Sequence, residues 1–398
     1  MSTNPGKQRR KYPISQRANQ LSPSGIRRFF DLLASTEGVI SLGIGEPDYA
    51  TPWHISEAAI ESLGKGYTMY TSNMGMPELR QELSRYLKKH YNLSYDPDSE
   101  LLITVGVSEG LDLIARAILN PGDEVIIPDP CYVSYGSCII LTGGVPVAVP
   151  TSEENNFEIS AADIEARITS KTKAILIGYP ANPTGAVMSR SKLAKIAEVA
   201  QRHKLLVISD EIYAKLVYGV KHTCFATLPR MKESTILLNG FSKAYAMTGW
   251  RIGYAAAPAE IIAAMTKIHQ YTMMCVSTMA QVAAIEALKS GDESASDMAE
   301  DYNRRRLVIV NGLLDIGLSC FEPHGAFYAF PSIKITGMTS EEFAERLLTE
   351  EKVAVVPGSA FGRCGEGYVR CCYATSLADI EEALSRMKRF VDRYKKEG

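Results

Sequence analysis

The chain has 398 residues, enough to bury a large core and, at roughly one domain per 100–200 residues, to form about two domains. Its 43 lysines and arginines against 45 aspartates and glutamates leave a net charge of −2, which argues against a polyanionic partner and sets nucleic-acid binding aside. Hydrophobic residues make up 46% and no run reaches the roughly 18 apolar residues of a membrane span, so a two-domain globular enzyme without a membrane partner is expected.

The first twenty residues are basic (Lys7, Arg9, Arg10, Lys11, Arg17) but have no apolar core of the kind a secretory signal carries. A cytoplasmic protein with a mobile or partner-draped N-terminal tail is the expectation. The eight cysteines (Cys131, Cys138, Cys224, Cys275, Cys320, Cys364, Cys371, Cys372) are scattered in apolar contexts, with no C-x-x-C pair and no histidine at ligand spacing. That pattern predicts buried free thiols in a reducing compartment, with neither disulfides nor a metal site.

From about residue 100, short β-branched runs alternate with helical stretches. LLITV precedes SEGLDLIARAIL, EVIIP precedes CYVSYGSCIIL, and VPVAV, KAILIG, a helix from about 190 to 203, LLVIS and STILLN follow. Such alternation predicts right-handed βαβ crossovers and an α/β fold with a mostly parallel, buried sheet. Helices are predicted near 258–270, 276–289 and 294–315, then AFYAF, KVAVVP and YVRCCYA separated by two helices, a smaller α+β unit. The larger domain is placed at 47–290 and the smaller one at 1–46 with 291–398.

In open α/β sheets ligands collect beyond the carboxyl ends of strands, so the residues after each strand are informative. After LLITV comes GVSEG, whose free N–H groups and Ser108 hydroxyl suit a phosphate; taken alone it reads more readily as a tight turn with Ser108 as N-cap. After KAILIG comes YPANPTGA, which holds Asn182 between two prolines, or is simply a loop. After LLVIS comes DEIY, where the Asp210 carboxylate at an apolar sheet edge needs a cationic partner and Tyr213 follows.

After STILLN comes GFSKAYAMTGWRIGY. A lysine among small residues, Lys243, loses hydration, its pKa falls, and it becomes an amine able to form a Schiff base. Arg251 offers a planar fork to a phosphate or carboxylate. The bland readings are a snorkelling lysine and an ordinary ion pair. Pyridoxal phosphate accounts for all four strand ends at once, since it needs a lysine for its aldehyde, donors and an arginine for its phosphate, a carboxylate for its ring nitrogen and hydrogen bonds to its phenolic oxygen. LGIGEPD has Gly43 and Gly45 but Asp48 where a dinucleotide fingerprint wants a small residue, and no Walker A sequence occurs.

The block from Ser242 to Tyr254, S-K-x-x-x-M-x-G-W-R-x-G-Y, resembles that of the fold-type I, class I/II aminotransferases, and the likeness runs from ISLGIGEPD to GEGYVRCCYA. The resemblance implies a three-layer αβα large domain and assigns roles position by position. Lys243 is similar to the lysine that bonds the cofactor and acts as general acid and base, and Asp210 to the partner of the pyridine nitrogen. Asn182 and Tyr213 match residues bonded to the phenolic oxygen, and Tyr132 the aromatic stacked on the ring. Val107, Ser108, Ser242 and Arg251 correspond to the phosphate cup. Tyr70 resembles the tyrosine that reaches the neighbouring subunit's phosphate, which implies a homodimer with shared active sites. Arg370 falls on the arginine that grips the substrate α-carboxylate, with Asn182 beside it, and Gly45 on the glycine whose backbone closes over it. Gly240 departs from relatives that carry serine there.

The implied activity is ping-pong transfer of an amino group from an L-amino acid to a 2-oxo acid such as 2-oxoglutarate. NGFSK, GAFYAF and VAVVPGSAFG place the likeness nearest the aromatic and broad-specificity aspartate aminotransferases. The absence of a basic residue in GVSEG leans towards aromatic or broad substrates. A carbon–sulfur β-lyase on the same cofactor and a non-enzymatic ligand sensor are the alternatives. Ile26, Phe29 and Phe30 could form an apolar lid or plain core packing, and His324 reads as a turn histidine.

Overall fold

The structure is a computed structural model that describes residues 13–21 and 38–396. Twelve strands lie among them: β1 Ile40–Ser41, β2 Leu101–Thr104, β3 Glu124–Asp129, β4 Val145–Pro150, β5 Thr172–Gly178, β6 Leu206–Asp210, β7 Thr235–Gly240, β8 Gly253–Ala256, β9 Tyr328–Ala329, β10 Val353–Ala354, β11 Val356–Pro357 and β12 Val369–Cys372. Seven form the central sheet in the order β2-β8-β7-β6-β5-β3-β4, and every pairing is parallel except those of β8. Helices cover both faces, so the strands read as continuous apolar runs. Ile126, Ile175 and Val207 pack on the helix Arg190–His203, while Leu176, Ile208 and Leu238 face the helices Gly106–Ile118 and Ala259–Thr272. The fold is the expected three-layer α/β architecture.

The antiparallel strand β8 went unread in the sequence. Its residues, GYAA, lack the β-branched side chains that mark a strand, and pairing with β2 and β7 holds them extended. That pairing also accounts for Gly240. A Cβ there would come within 2.9 Å of the Gly253 Cα across the ladder, so a side chain has no room at that position.

A second body gathers β1 and β9 to β12 with the helices Asp292–Ile316, Ser340–Glu351 and Leu377–Tyr394 around Phe327, Phe343, Tyr373 and Phe390; Leu42 joins this core from the N-terminal side. One expected detail is corrected here. A single α-helix separates β9 from β10, only 3₁₀ turns lie between β11 and β12, and the last helix follows β12. Gly358 and Gly362, the latter with φ +137°, favour tight turns over a helix in that interval.

Part of the basic N-terminal segment rests on its own chain. The guanidinium of Arg17 donates to the Leu141 carbonyl (3.3 Å) at the end of the helix Ser134–Thr142, where free carbonyls attract a cation. The proposed lid residues Ile26, Phe29 and Phe30 lie outside the described residues, as do Lys7, Arg9, Arg10 and Lys11. No helix among the described residues is long and apolar enough to cross a membrane. All eight cysteines are free, but only Cys224, Cys371 and Cys372 are fully buried; the other five are half-buried.

Candidate active site

All central strands but β8 run in one direction, so the segments after β2, β3, β5, β6 and β7 meet along one edge of the sheet. They line a cavity of about 790 Å³ together with Gly45 and Arg370. Val107, Ser108, Tyr132, Asn182, Asp210, Tyr213, Ser242, Lys243 and Arg251 all border it. Tyr70 does not: it is 81% exposed on the surface of this chain.

Lys243 follows β7 in a turn, and its Nζ donates to the Gly45 carbonyl at 2.6 Å. Burial pushes the amine down to about 8 from its ordinary 10.5; Cys372 and Glu46 oppose that shift, while Arg370 and Arg251 add to it. An amine in that state is a nucleophile near neutral pH.

Asp210 ends β6 and is buried. The Tyr135 hydroxyl donates to its Oδ2 at 2.9 Å and the Ile212 N–H to its Oδ1 at 3.2 Å. Burial raises the carboxyl to about 6, against the lowering effect of both donors. The sequence called for a cationic partner, yet the protein supplies two neutral donors. A protonated ring nitrogen would provide the countercharge, so this carboxylate fits pyridoxal phosphate.

The turn after β2 forms a cradle. Gly106 has φ +70° and a Cβ there would stand 2.8 Å from Arg251 Nη2, so a side chain would fill the space in which the guanidinium lies. Arg251 itself has φ +53°, and its Nη1 donates to the Thr248 carbonyl at 2.9 Å. The expected alternative, Ser108 as N-cap, is corrected: the helix starts at Gly106 with Val105 in the cap position. Val105 has no polar side chain, and its N–H instead donates to Glu109 Oε2 (2.5 Å), while buried His269 holds the other oxygen of Glu109 through Nδ1 (2.6 Å). Ser108 is thereby left in the first helical turn, with free N–H groups around it that suit a phosphate.

Arg370 stands in β12 and is 3% exposed. Its Nη1 donates to Asn182 Oδ1 at 2.9 Å and its Nη2 to the Gly43 carbonyl at 2.8 Å, while Nε has no protein partner. A guanidinium has five N–H donors, so it retains donors for a carboxylate. With its oxygen taken, the Asn182 amide keeps its NH₂ as a donor. The loop around Asn182 is pinned by Ala181 N–H donating to the Ala186 carbonyl at 2.9 Å.

Tyr135, Tyr328, Glu46, Thr248 and Ile44 also line the cavity and were missed as site residues. Tyr135 stands three residues after Tyr132 in CYVSYGSCIIL, a stretch the sequence reads as helical, and that spacing could have found it. Tyr328 lay in GAFYAF, read only as a strand and a family likeness. His324 has no place in the cavity; its carbonyl accepts from the Tyr218 N–H at 2.8 Å, as a turn residue would.

A family model described as aminotransferase class I and II matches residues 37–387. The Bacillus subtilis protein YugH is 58% identical over 378 residues, covering 95% of this chain and 98% of its own. An aspartate aminotransferase of Pyrococcus abyssi is 48% identical, covering 94% of this chain and 97% of its own. The crystal structure of an aromatic aminotransferase from Pyrococcus horikoshii superposes with a TM-score of 0.88 at 46% identity, covering 92% of this chain and 99% of that one.

Proposed function

This chain belongs to the class I and II aminotransferases, pyridoxal-phosphate enzymes that move amino groups, and from that premise we propose that it transfers the amino group of an aromatic or aspartate-like L-amino acid to 2-oxoglutarate or a similar 2-oxo acid by a ping-pong sequence. One observation carries the reading. A single cavity holds an amine lowered to about 8, a buried carboxylate paired with no cation, and a buried arginine with donors to spare.

Bound pyridoxal phosphate supplies an aldehyde for the amino group and a ring that, protonated on nitrogen, draws electrons from the substrate Cα. Val107 N–H, Ser108, Ser242 and Arg251 would hold its phosphate, Asp210 its ring nitrogen, Asn182 and Tyr213 its phenolic oxygen, and Tyr132 its face. Lys243 would form the covalent bond. Arg370 binds the substrate α-carboxylate through paired charge-assisted hydrogen bonds and so fixes which bond of Cα faces Lys243. Once the substrate amino group has displaced it from that bond, the Lys243 amine would take the Cα proton and later return one as an ammonium, a role that burial favours by holding its pKa below the ordinary lysine value. The Gly45 backbone, already in contact with that amine, closes over the site and excludes water.

The described lining has three cations, Lys243, Arg251 and Arg370, and each has a role above, while Ile44, Tyr132 and Val133 present apolar surface. That favours aromatic side chains among the donors. We also read the protein as a homodimer in which Tyr70 of the partner subunit reaches the phosphate; the neighbouring Met69 and Tyr70 are both exposed large hydrophobics on this chain, which supports a partner there. A cytoplasmic location fits eight unpaired cysteines. The cofactor domain is assigned to 47–290, and 1–46 with 291–398 to the smaller domain. A panel of L-amino acids with 2-oxoglutarate, read as 2-oxo acid and glutamate formed, tests the reading; pyruvate and ammonia released without an acceptor would instead indicate the β-lyase.

A further inference from the structure

Tyr328 touches three of the residues given roles above. Its hydroxyl lies 2.7 Å from that of Tyr213. Its ring centre lies 4.4 Å from the guanidinium carbon of Arg370, within cation–π range. Its oxygen would stand only 2.5 Å from a Cβ at position 45, so the absence of a side chain at Gly45 lets the two residues approach. Tyr328 is 1% exposed and Tyr213 5%.

The two phenols have protons to spare. Burial pushes both well above the ordinary tyrosine value, so both stay protonated through the neutral range. Between them they form one hydrogen bond, and neither hydroxyl has another protein acceptor among the described residues. One O–H of the pair is therefore free to donate into the cavity. If Tyr213 donates to Tyr328, the free proton points from Tyr328 towards the Arg370 side. If Tyr328 donates to Tyr213, the Tyr213 proton is released towards the cofactor side, and a hydroxyl that accepts a bond becomes a stronger donor.

We propose that Tyr328 is a positioning residue that donates its hydroxyl proton to Tyr213 in the loaded enzyme, thereby aiming the Tyr213 O–H at the phenolic oxygen of pyridoxal phosphate, while its ring and oxygen set the places of Arg370 and Gly45. This rests on the function proposed above. The charged and titratable groups around the pair are Lys243, Arg370, Cys372 and Tyr132, and Tyr328→Phe alters none of them.

The test uses protein loaded with pyridoxal phosphate and reads the pH at which the absorbance of the bound cofactor changes between its two protonation forms. A donor at the phenolic oxygen favours the deprotonated form, so Tyr328→Phe should raise that midpoint by about half a pH unit. In parallel, Gly45→Ala should raise the amino-acid KM by about tenfold through the close contact with the Tyr328 oxygen, and Tyr328→Phe in that background should recover most of the loss, because the next ring atoms lie at 3.4 Å. An unchanged midpoint, or no relief in the double variant, would overturn the inference while leaving the proposed function intact. Wild-type protein that takes up no pyridoxal phosphate would overturn both.

Discussion

Lys243 Nζ donates to the Gly45 carbonyl at 2.6 Å, joining residues 198 positions apart. The contact holds the amine where burial lowers it to about 8. A base is neutral above its pKa, so the rate at which cofactor-free protein takes up pyridoxal phosphate covalently should rise as pH passes about 8 and level off, where an ordinary lysine would climb towards 10.5. Stopped-flow absorbance between pH 6 and 10 measures it. Lys243→Ala should bind the cofactor without a covalent bond and lose turnover; near-normal turnover would remove Lys243 from the mechanism.

Asp210 has its folded pKa near 6, above the 3.8 of an unperturbed aspartate, so the folded state holds the proton more tightly. Its stabilising contribution is fully present below pH 3.8 and is lost as pH rises through 6. At pH 7.5 the buried carboxylate then costs the cofactor-free protein up to about 3 kcal/mol, from a shift of roughly two units. Asp210→Asn keeps an acceptor for Tyr135, so it should raise the melting temperature of cofactor-free protein by a few degrees while removing most turnover. A lower melting temperature would mean that the carboxylate is stabilised by some other contact.

Arg370 makes paired bonds that lysine cannot reproduce in geometry, so even Arg370→Lys should lose activity. Removing such a contact in a desolvated cleft costs about 2–5 kcal/mol, so Arg370→Ala should lower kcat/KM by at least about thirtyfold for aromatic, acidic and aliphatic amino acids alike. Cofactor affinity should change little. A defect confined to acidic amino acids in single-turnover assays would mean that Arg370 reads the side chain.

Gly106→Ala places a Cβ 2.8 Å from Arg251 Nη2 on a backbone with φ +70°. The left-handed conformation costs a side chain roughly 1–2 kcal/mol of folding stability, and the Cβ displaces the Arg251 guanidinium from the phosphate cradle, so the melting temperature should fall and the dissociation constant for pyridoxal phosphate should rise by about tenfold. At saturating cofactor, kcat should hold. Equilibrium titration by fluorescence quenching separates the two.

The strands β5, β6 and β7 were legible because both faces are buried and the sequence reads as unbroken apolar runs. Their carboxyl ends pointed to Asn182, Asp210 and Lys243 for the same reason. β8 was not legible, since glycine and alanine carry no strand signal and only its two neighbours make it extend. Tyr135 and Tyr328 escaped because each looks like core until the fold sets it against Asp210 or Tyr213. Glu109 escaped because its task, accepting the Val105 N–H beside a buried histidine, exists only once the helix Gly106–Ile118 starts at Gly106.

The central claim is that this chain carries an amino group from one substrate to another on a cofactor held by Lys243, Asp210 and Arg251. Purified protein loaded with pyridoxal phosphate and given one aromatic amino acid, with no acceptor, isolates the first half of that cycle. The account predicts release of about one 2-oxo acid per subunit with a matching change in cofactor absorbance, then arrest until 2-oxoglutarate restores the original spectrum. Continuous product formation without an acceptor, or an unchanged spectrum for every amino acid tried, would contradict it.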